Sequence, residues 1–329
     1  MRPLTSFQGR LKKIILILFS AAVLVLFFSC TCRFIRIRVC TDPGVVSSEE
    51  NRLVTDSSLG GKIRNSEQMI AQIREGLRSH SAGITISFDY GSDIFPKLNG
   101  VIEEWMEAAQ QETDSPEEGD YIRWQLGGYS YKSTSDQRGD RWFYSVRIEP
   151  SYYTFLAQEE EVTKEVRRIR HSLHLFPWTS RDERIRRIYD YLCRNVKYDK
   201  VHRKNPHYHM RSTAYAALIR GTATCQGYCT ALYRLLREEN IPCRIVTGTA
   251  GQEDLHAWVI VEEKGLWYLL DPTWDAGQDT WQYFMRGTQD LSEDPESGLP
   301  AAHRPGDLFT TEAFVSGHPM AAHGLQTSK

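Results

Sequence analysis

The sequence predicts an α+β protein of two folded units behind an apolar N-terminal segment. Three observations carry this reading. Residues 226–239 place Tyr228, Leu232, Leu235 and Leu236 at helical spacing. Residues 255–262 (LHAWVIVE) and 266–271 (LWYLLD) are rich in β-branched, aromatic and aliphatic side chains. They flank Lys264-Gly265, which suits a two-residue hairpin turn. The length of 329 residues fits about two domains, with ample apolar content for their cores.

In chain order, Arg2, Arg10, Lys12 and Lys13 precede an almost wholly apolar run, Ile14 to Ser29, followed by Cys30, Thr31, Cys32 and then Arg33, Arg36 and Arg38. Three readings fit such a segment: a single-pass anchor, a cleaved secretory signal, or a lipoprotein signal with Cys30 as the lipidated residue. A spanning helix needs about 20 apolar residues, and this run sits at the lower edge of the workable range. The uncleaved anchor over residues 1–32 is preferred, giving the chain a membrane partner. Positive charge flanks both ends, so orientation is weakly marked. The body of the chain is expected on the extracytoplasmic face of the cell membrane.

Residues 33–65 read as a linker, polar with Gly and Ser from Thr41 to Asn65. Residues 66–157 read as a small α+β accessory domain. It has strands near 84–88, 121–131 and 142–148, a helix near 96–111, and no chemistry of its own. A charged helix over 158–174 and an amphipathic one over 181–197 open a second domain, residues 158–290. Residues 291–329 carry Pro, Gly and His without periodicity and read as an irregular C-terminal segment.

The chemistry concentrates in the second domain. Cys225 follows the turn-like Gly221-Thr222-Ala223-Thr224 and opens the helix, with Thr224 as the expected N-cap. A thiolate is favoured at the positive end of a helix dipole, and the thiolate is the nucleophile. A two-residue turn at Lys264-Gly265 sets Trp258 opposite Asp271 and His256 opposite Thr273. His256 and Asp271 then lie diagonally on one face, about 7–8 Å apart and within side-chain reach. A three-residue loop would break that register. The expected roles are Cys225 as nucleophile, His256 as base and Asp271 as its orienting partner.

Other residues invite blander readings. Cys193, Cys229 and Cys243 suit small buried side chains. Cys225 and Cys229 with one distant His make a poor zinc set, and His202, His207 and His209 lack a carboxylate or thiol at ligand spacing. No metal and no cofactor is expected. Residues 202–209 read as a solvated loop, with a place near the cleft left open. Trp258, Trp267 and Trp274 suit the core, with room for one of them to wall the acyl pocket.

Ser212 to Leu218, Cys225-Gln226-Gly227-Tyr228, Gly248, His256-Ala257-Trp258 and Trp267 to Trp274 together resemble the transglutaminase-like superfamily, in its bacterial branch, over roughly residues 185–285. The resemblance implies a papain-like α+β core and a triad of Cys225, His256 and Asp271. It leaves the reaction open, because the superfamily includes protein cross-linkers, proteases, amidases and non-catalytic members.

Composition narrows the field. A formal net charge of −2 gives no sign of nucleic-acid binding. There is no phosphate loop, dinucleotide fingerprint or helical metalloprotease motif. Of seven cysteines, Cys30, Cys32 and Cys40 lie in or beside the apolar segment, and the other four show no disulfide-framework spacing. The expected function is thiol-dependent acyl transfer on a protein or peptide amide. The alternatives are a papain-like peptidase or amidase of the cell envelope and a non-catalytic envelope binding protein.

Overall fold

The computed structural model describes residues 33–39, 63–251 and 253–325. The apolar run Ile14 to Ser29 lies outside these residues. Among those described, no helix is long and apolar enough to cross a membrane.

The first unit is an antiparallel sheet with two helices packed on it. Its strands are β1 (Arg33–Val39), β2 (Ile84–Tyr90), β3 (Leu126–Arg138) and β4 (Arg141–Tyr152), in the order β1-β3-β4-β2. Strand β2 alternates, with Ile84, Ile86 and Phe88 buried and Thr85 and Ser87 exposed, so one face of the sheet is covered. The cover is α1 (Ser66–Arg78) and α2 (Leu98–Ala109), which bury Ile73 and Leu77 and Val101, Ile102 and Trp105.

Two expectations are corrected here. Residues 33–39, read as the start of a linker, form an edge strand on β3. The stretch from Tyr121, read as strand throughout, begins as helix α3 (Asp120–Gln125). Its aromatic residues gave a strand-like composition, but tertiary contacts hold the turn. The buried Asp120 carboxylate accepts from the Ile245 N–H at 2.8 Å and from the Arg244 guanidinium at 2.9 Å. Tyr121 and Trp124 join the core of the second unit, so α3 belongs by packing to the seam between the two.

The second unit is built around α7. Its elements are α4 (Leu156–Ser172), α5 (Arg181–Asn195), β5 (Lys197–Tyr198), α6 (Ala214–Leu218), β6 (Thr222–Ala223), α7 (Cys225–Glu238), β7 (Cys243–Ala250), β8 (Glu253–Glu263), β9 (Leu266–Leu270), α8 (Pro272–Asp275), β10 (His303–Pro305) and α9 (Glu312–Gly317). Helix α7 is buried from Gln226 to Leu236, between the helices and an antiparallel sheet of order β10-β7-β8-β9. Mixed helix and strand content of this kind is α+β. Residues 291–329, read as irregular, are so for much of their described length. They nevertheless supply β10 and α9, and they are tied down by backbone bonds such as Trp267 N–H to Pro319 and Thr288 N–H to Ala321.

Candidate active site

The nucleophile candidate is positioned by a glycine and a buried carbonyl. Cys225 is the first residue of α7 and half-exposed, whereas Gln226 to Leu236 after it are buried. Thr224 stands at the cap position with extended backbone, but its hydroxyl does not cap the helix. The Thr224 N–H and hydroxyl instead both donate to the Arg211 carbonyl, at 2.9 and 3.2 Å. A Cβ on Gly227 would lie 2.7 Å from that same carbonyl and 2.7 Å from the Ala223 side chain, so only glycine lets the first turn of α7 seat so closely. One residue on, the Tyr228 hydroxyl donates to the Val196 carbonyl at 2.6 Å and fixes the helix against the end of α5.

His256 and Asp271 come from the hairpin. Lys264 and Gly265 both adopt positive φ, 55° and 82°, as a two-residue primed turn requires. The pairs Glu263 with Leu266 through Val259 with Leu270 follow the expected register, and continuing it places Trp258 across from Asp271. Strand β9 ends at Leu270, and Asp271 caps α8. Its Oδ1 accepts the Thr273 N–H at 2.9 Å and the Trp274 N–H at 3.4 Å. That engagement turns Oδ2 toward His256, whose Nε2 lies 2.7 Å away. With Nε2 held, Nδ1 is the nitrogen left for the Cys225 thiol, which interacts with this imidazole.

Burial pulls the proton affinity of His256 down, but the charge and hydrogen bond of Asp271, with Cys225 beside it, raise it to about 10. Asp271 is fully buried, which pushes its carboxyl up, yet His256 and a second histidine hold it well below the usual carboxylate range. The Trp274 ring stacks on His256 with centroids 5.0 Å apart. Trp258 and Trp267 are core side chains. Cys193, Cys229 and Cys243 are buried, with thiols pushed up chiefly by that burial.

The second histidine is His303. Its Nε2 lies 3.2 Å from the same Asp271 oxygen, and its side chain is fully buried. It is not legible in local sequence, because β10 is three residues long and carries no periodicity. One signal pointed there. Gly248 in mid-strand marks a close backbone approach, and the approaching chain is β10, which pairs Pro305 with Gly248.

Comparison with known proteins assigns part of the chain. Residues 177–272 match the sequence profile of the transglutaminase-like superfamily. These residues are a transglutaminase-like domain. A search of curated proteins finds no match. Among solved structures, a TGase is similar at 16% identity over 43% of this chain and 44% of its own, with a TM-score of 0.33. A candidate cysteine protease from Cytophaga hutchinsonii is similar at 13% identity over 45% of this chain and 65% of its own, with a TM-score of 0.26. The chain thus spans less than two thirds of either.

The transglutaminase-like domain also contains the loop over residues 202–209. The Asp199 carboxylate holds its start, bonding the Val201 and His202 N–H groups and the His202 ring at 2.8 Å. The buried Arg211 guanidinium donates to the Asn205 and Tyr208 carbonyls at 2.6 Å. Arg211 thereby joins this largely exposed loop to Thr224, next to the nucleophile candidate. Among the described residues, the group of metal-type donors is not in the loop but is His256, Asp271 and His303. The nitrogen-to-oxygen separations of 2.7 and 3.2 Å there are those of hydrogen bonds.

Proposed function

We propose that the chain is a cysteine-dependent acyl-transfer enzyme acting on peptide or isopeptide-type amides. The observation that supports this most is the buried 2.7 Å bond between His256 and Asp271, with the Cys225 thiol at the open end of α7 beside the imidazole. Cys225 attacks the amide carbonyl as the thiolate, with His256 carrying the proton. The oxyanion that forms lies at the N-terminus of α7, where the Cys225 N–H and the helix dipole stabilise it. The C–N bond then breaks, His256 donates its proton to the departing nitrogen, and a thioester remains on Cys225. Asp271 keeps the imidazole in the tautomer that faces sulfur. In the second half His256 accepts a proton from the acceptor that cleaves the thioester. An amine acceptor gives cross-linking, and water gives hydrolysis.

The test is mass spectrometry of a glutamine-containing peptide and a primary amine incubated with the protein. The expected products are amine-modified or deamidated peptide, absent with Cys225→Ala. Product formed equally by Cys225→Ala, or no product and no acyl adduct on Cys225, would overturn the reading.

A further inference from the structure

We propose that His303 is a positioning residue that tunes His256 as a proton donor by sharing the charge of Asp271. The inference rests on the acyl-transfer reading for its catalytic consequence and on geometry for its substance.

Asp271 does not need His303 to be oriented, since the two N–H groups of α8 already fix Oδ1. What His303 alters is the electron density at Oδ2, the oxygen that holds His256. The Nδ1 of His303 lies 3.2 Å from the Ala301 carbonyl, so each ring nitrogen faces an oxygen that only accepts. A neutral ring carries one N–H, and of the two oxygens the Asp271 carboxylate is the stronger acceptor, so the ring is set to donate toward Asp271. Trp258, Trp274 and Tyr283 surround it at centroid distances of 4.9, 5.0 and 5.4 Å.

The chemistry explains why a second donor matters. His256 must keep its proton in the resting pair, yet give it to the leaving nitrogen during acylation. A carboxylate that holds the imidazolium too tightly slows that transfer, because a general acid works best near the operating pH. A second hydrogen bond to the same oxygen spreads the negative charge and loosens the hold. His303 lies beyond the residues matched by the family profile, which end at 272. This device is supplied by the C-terminal segment.

The test titrates His256 by NMR of its ring protons in the full chain, for wild type, His303→Leu and His303→Gln. The titratable groups facing the two rings are Asp271, Cys225 and Tyr283, and none is changed. His303→Leu should titrate higher by roughly one unit, with His303→Gln, which still donates an N–H, close to wild type. Steady-state kinetics supply the second readout. On a glutamine-containing peptide, whose leaving nitrogen needs a proton, His303→Leu should lose roughly tenfold in kcat with KM little changed, one unit being a factor of ten. In the acylation burst with a p-nitrophenyl ester, whose leaving group needs none, the variant should match wild type. An unmoved His256 titration, or equal losses on amide and ester, would overturn the inference. Turnover that survives Cys225→Ala would instead overturn the acyl-transfer reading, while the His256 titration would still judge His303.

Discussion

At the scale of single residues, Cys225 and Cys229 separate chemistry from packing. They share α7 and lie one turn apart, but only Cys225 is open to solvent and beside His256. Cys225→Ala is expected to abolish turnover with the fold intact, whereas Cys229→Ala should cost mainly stability. Equal loss of activity from both folded variants would contradict the assignment. Asp271→Asn keeps the shape but removes the charge that holds His256, and kcat should fall by roughly 10²–10⁴-fold. The His256–Asp271 pair also sets a pH window. His256 is raised to about 10 from 6.5, so its contribution to stability is full below about 6.5 and is lost as pH rises through 10. Asp271 is lowered from 3.8, so its contribution is present above that value and lost on acidification. Urea unfolding of wild type against His256→Gln should show the largest difference between those two limits. A difference that grows toward pH 10 would contradict the pairing.

At the scale of elements, the hairpin was legible because its period, its turn and its register follow from local residues. Lys264-Gly265 fixes the turn, the turn fixes the register, and the register brings His256 and Asp271 together. Helix α7 was legible for a similar reason, its apolar residues being dense and periodic. Helix α3 was not, since it is six residues long and held by Arg244 and Ile245 more than a hundred residues away. The fourth partner of Asp271, His303, was harder to read, because β10 owes its place to Gly248, a mid-strand glycine that signals a close approach without saying which segment approaches. Gly248 pairs with His256 on one side and Pro305 on the other, and a Cβ there would collide with the Arg304 carbonyl. Gly248→Ala should therefore push β10 away at a cost of about 1–3 kcal/mol. It should also carry His303 off Asp271 and reproduce the amide-selective loss of His303→Leu. A Gly248→Ala protein with wild-type melting and kinetics would show that β10 is not seated by this contact.

At the scale of the whole molecule, the two units are interlocked at a seam. Tyr233 in α7 donates to Glu112 at 2.6 Å, Arg244 in β7 meets Asp120, and Trp124 accepts a bond on its carbonyl from the Gln226 side chain, next to Cys225. The first unit therefore touches the turn that presents the nucleophile candidate. This bears on where the chain can be shortened. We propose that the apolar run Ile14 to Ser29 holds the protein at the membrane; the candidate site residues Cys225, His256 and Asp271 lie far downstream of it in sequence. A chain beginning at Arg33 should leave the membrane fraction and keep iodoacetamide labelling at Cys225. A chain beginning at Ser66 should be less stable, since it lacks the edge strand β1 and Ile63, which is 1% exposed in the first core. Fractionation of full-length protein with an alkaline carbonate wash, alongside thermal melts of both shortened chains, checks these outcomes together. Full-length protein in the carbonate supernatant at its full mass would count against the anchor. A shortened mass in the supernatant would point to a cleaved signal. Release by Cys30→Ala alone would point to a lipid on that residue. Loss of Cys225 labelling in the chain from Arg33, with its melt unchanged, would mean that the N-terminal segment completes the site.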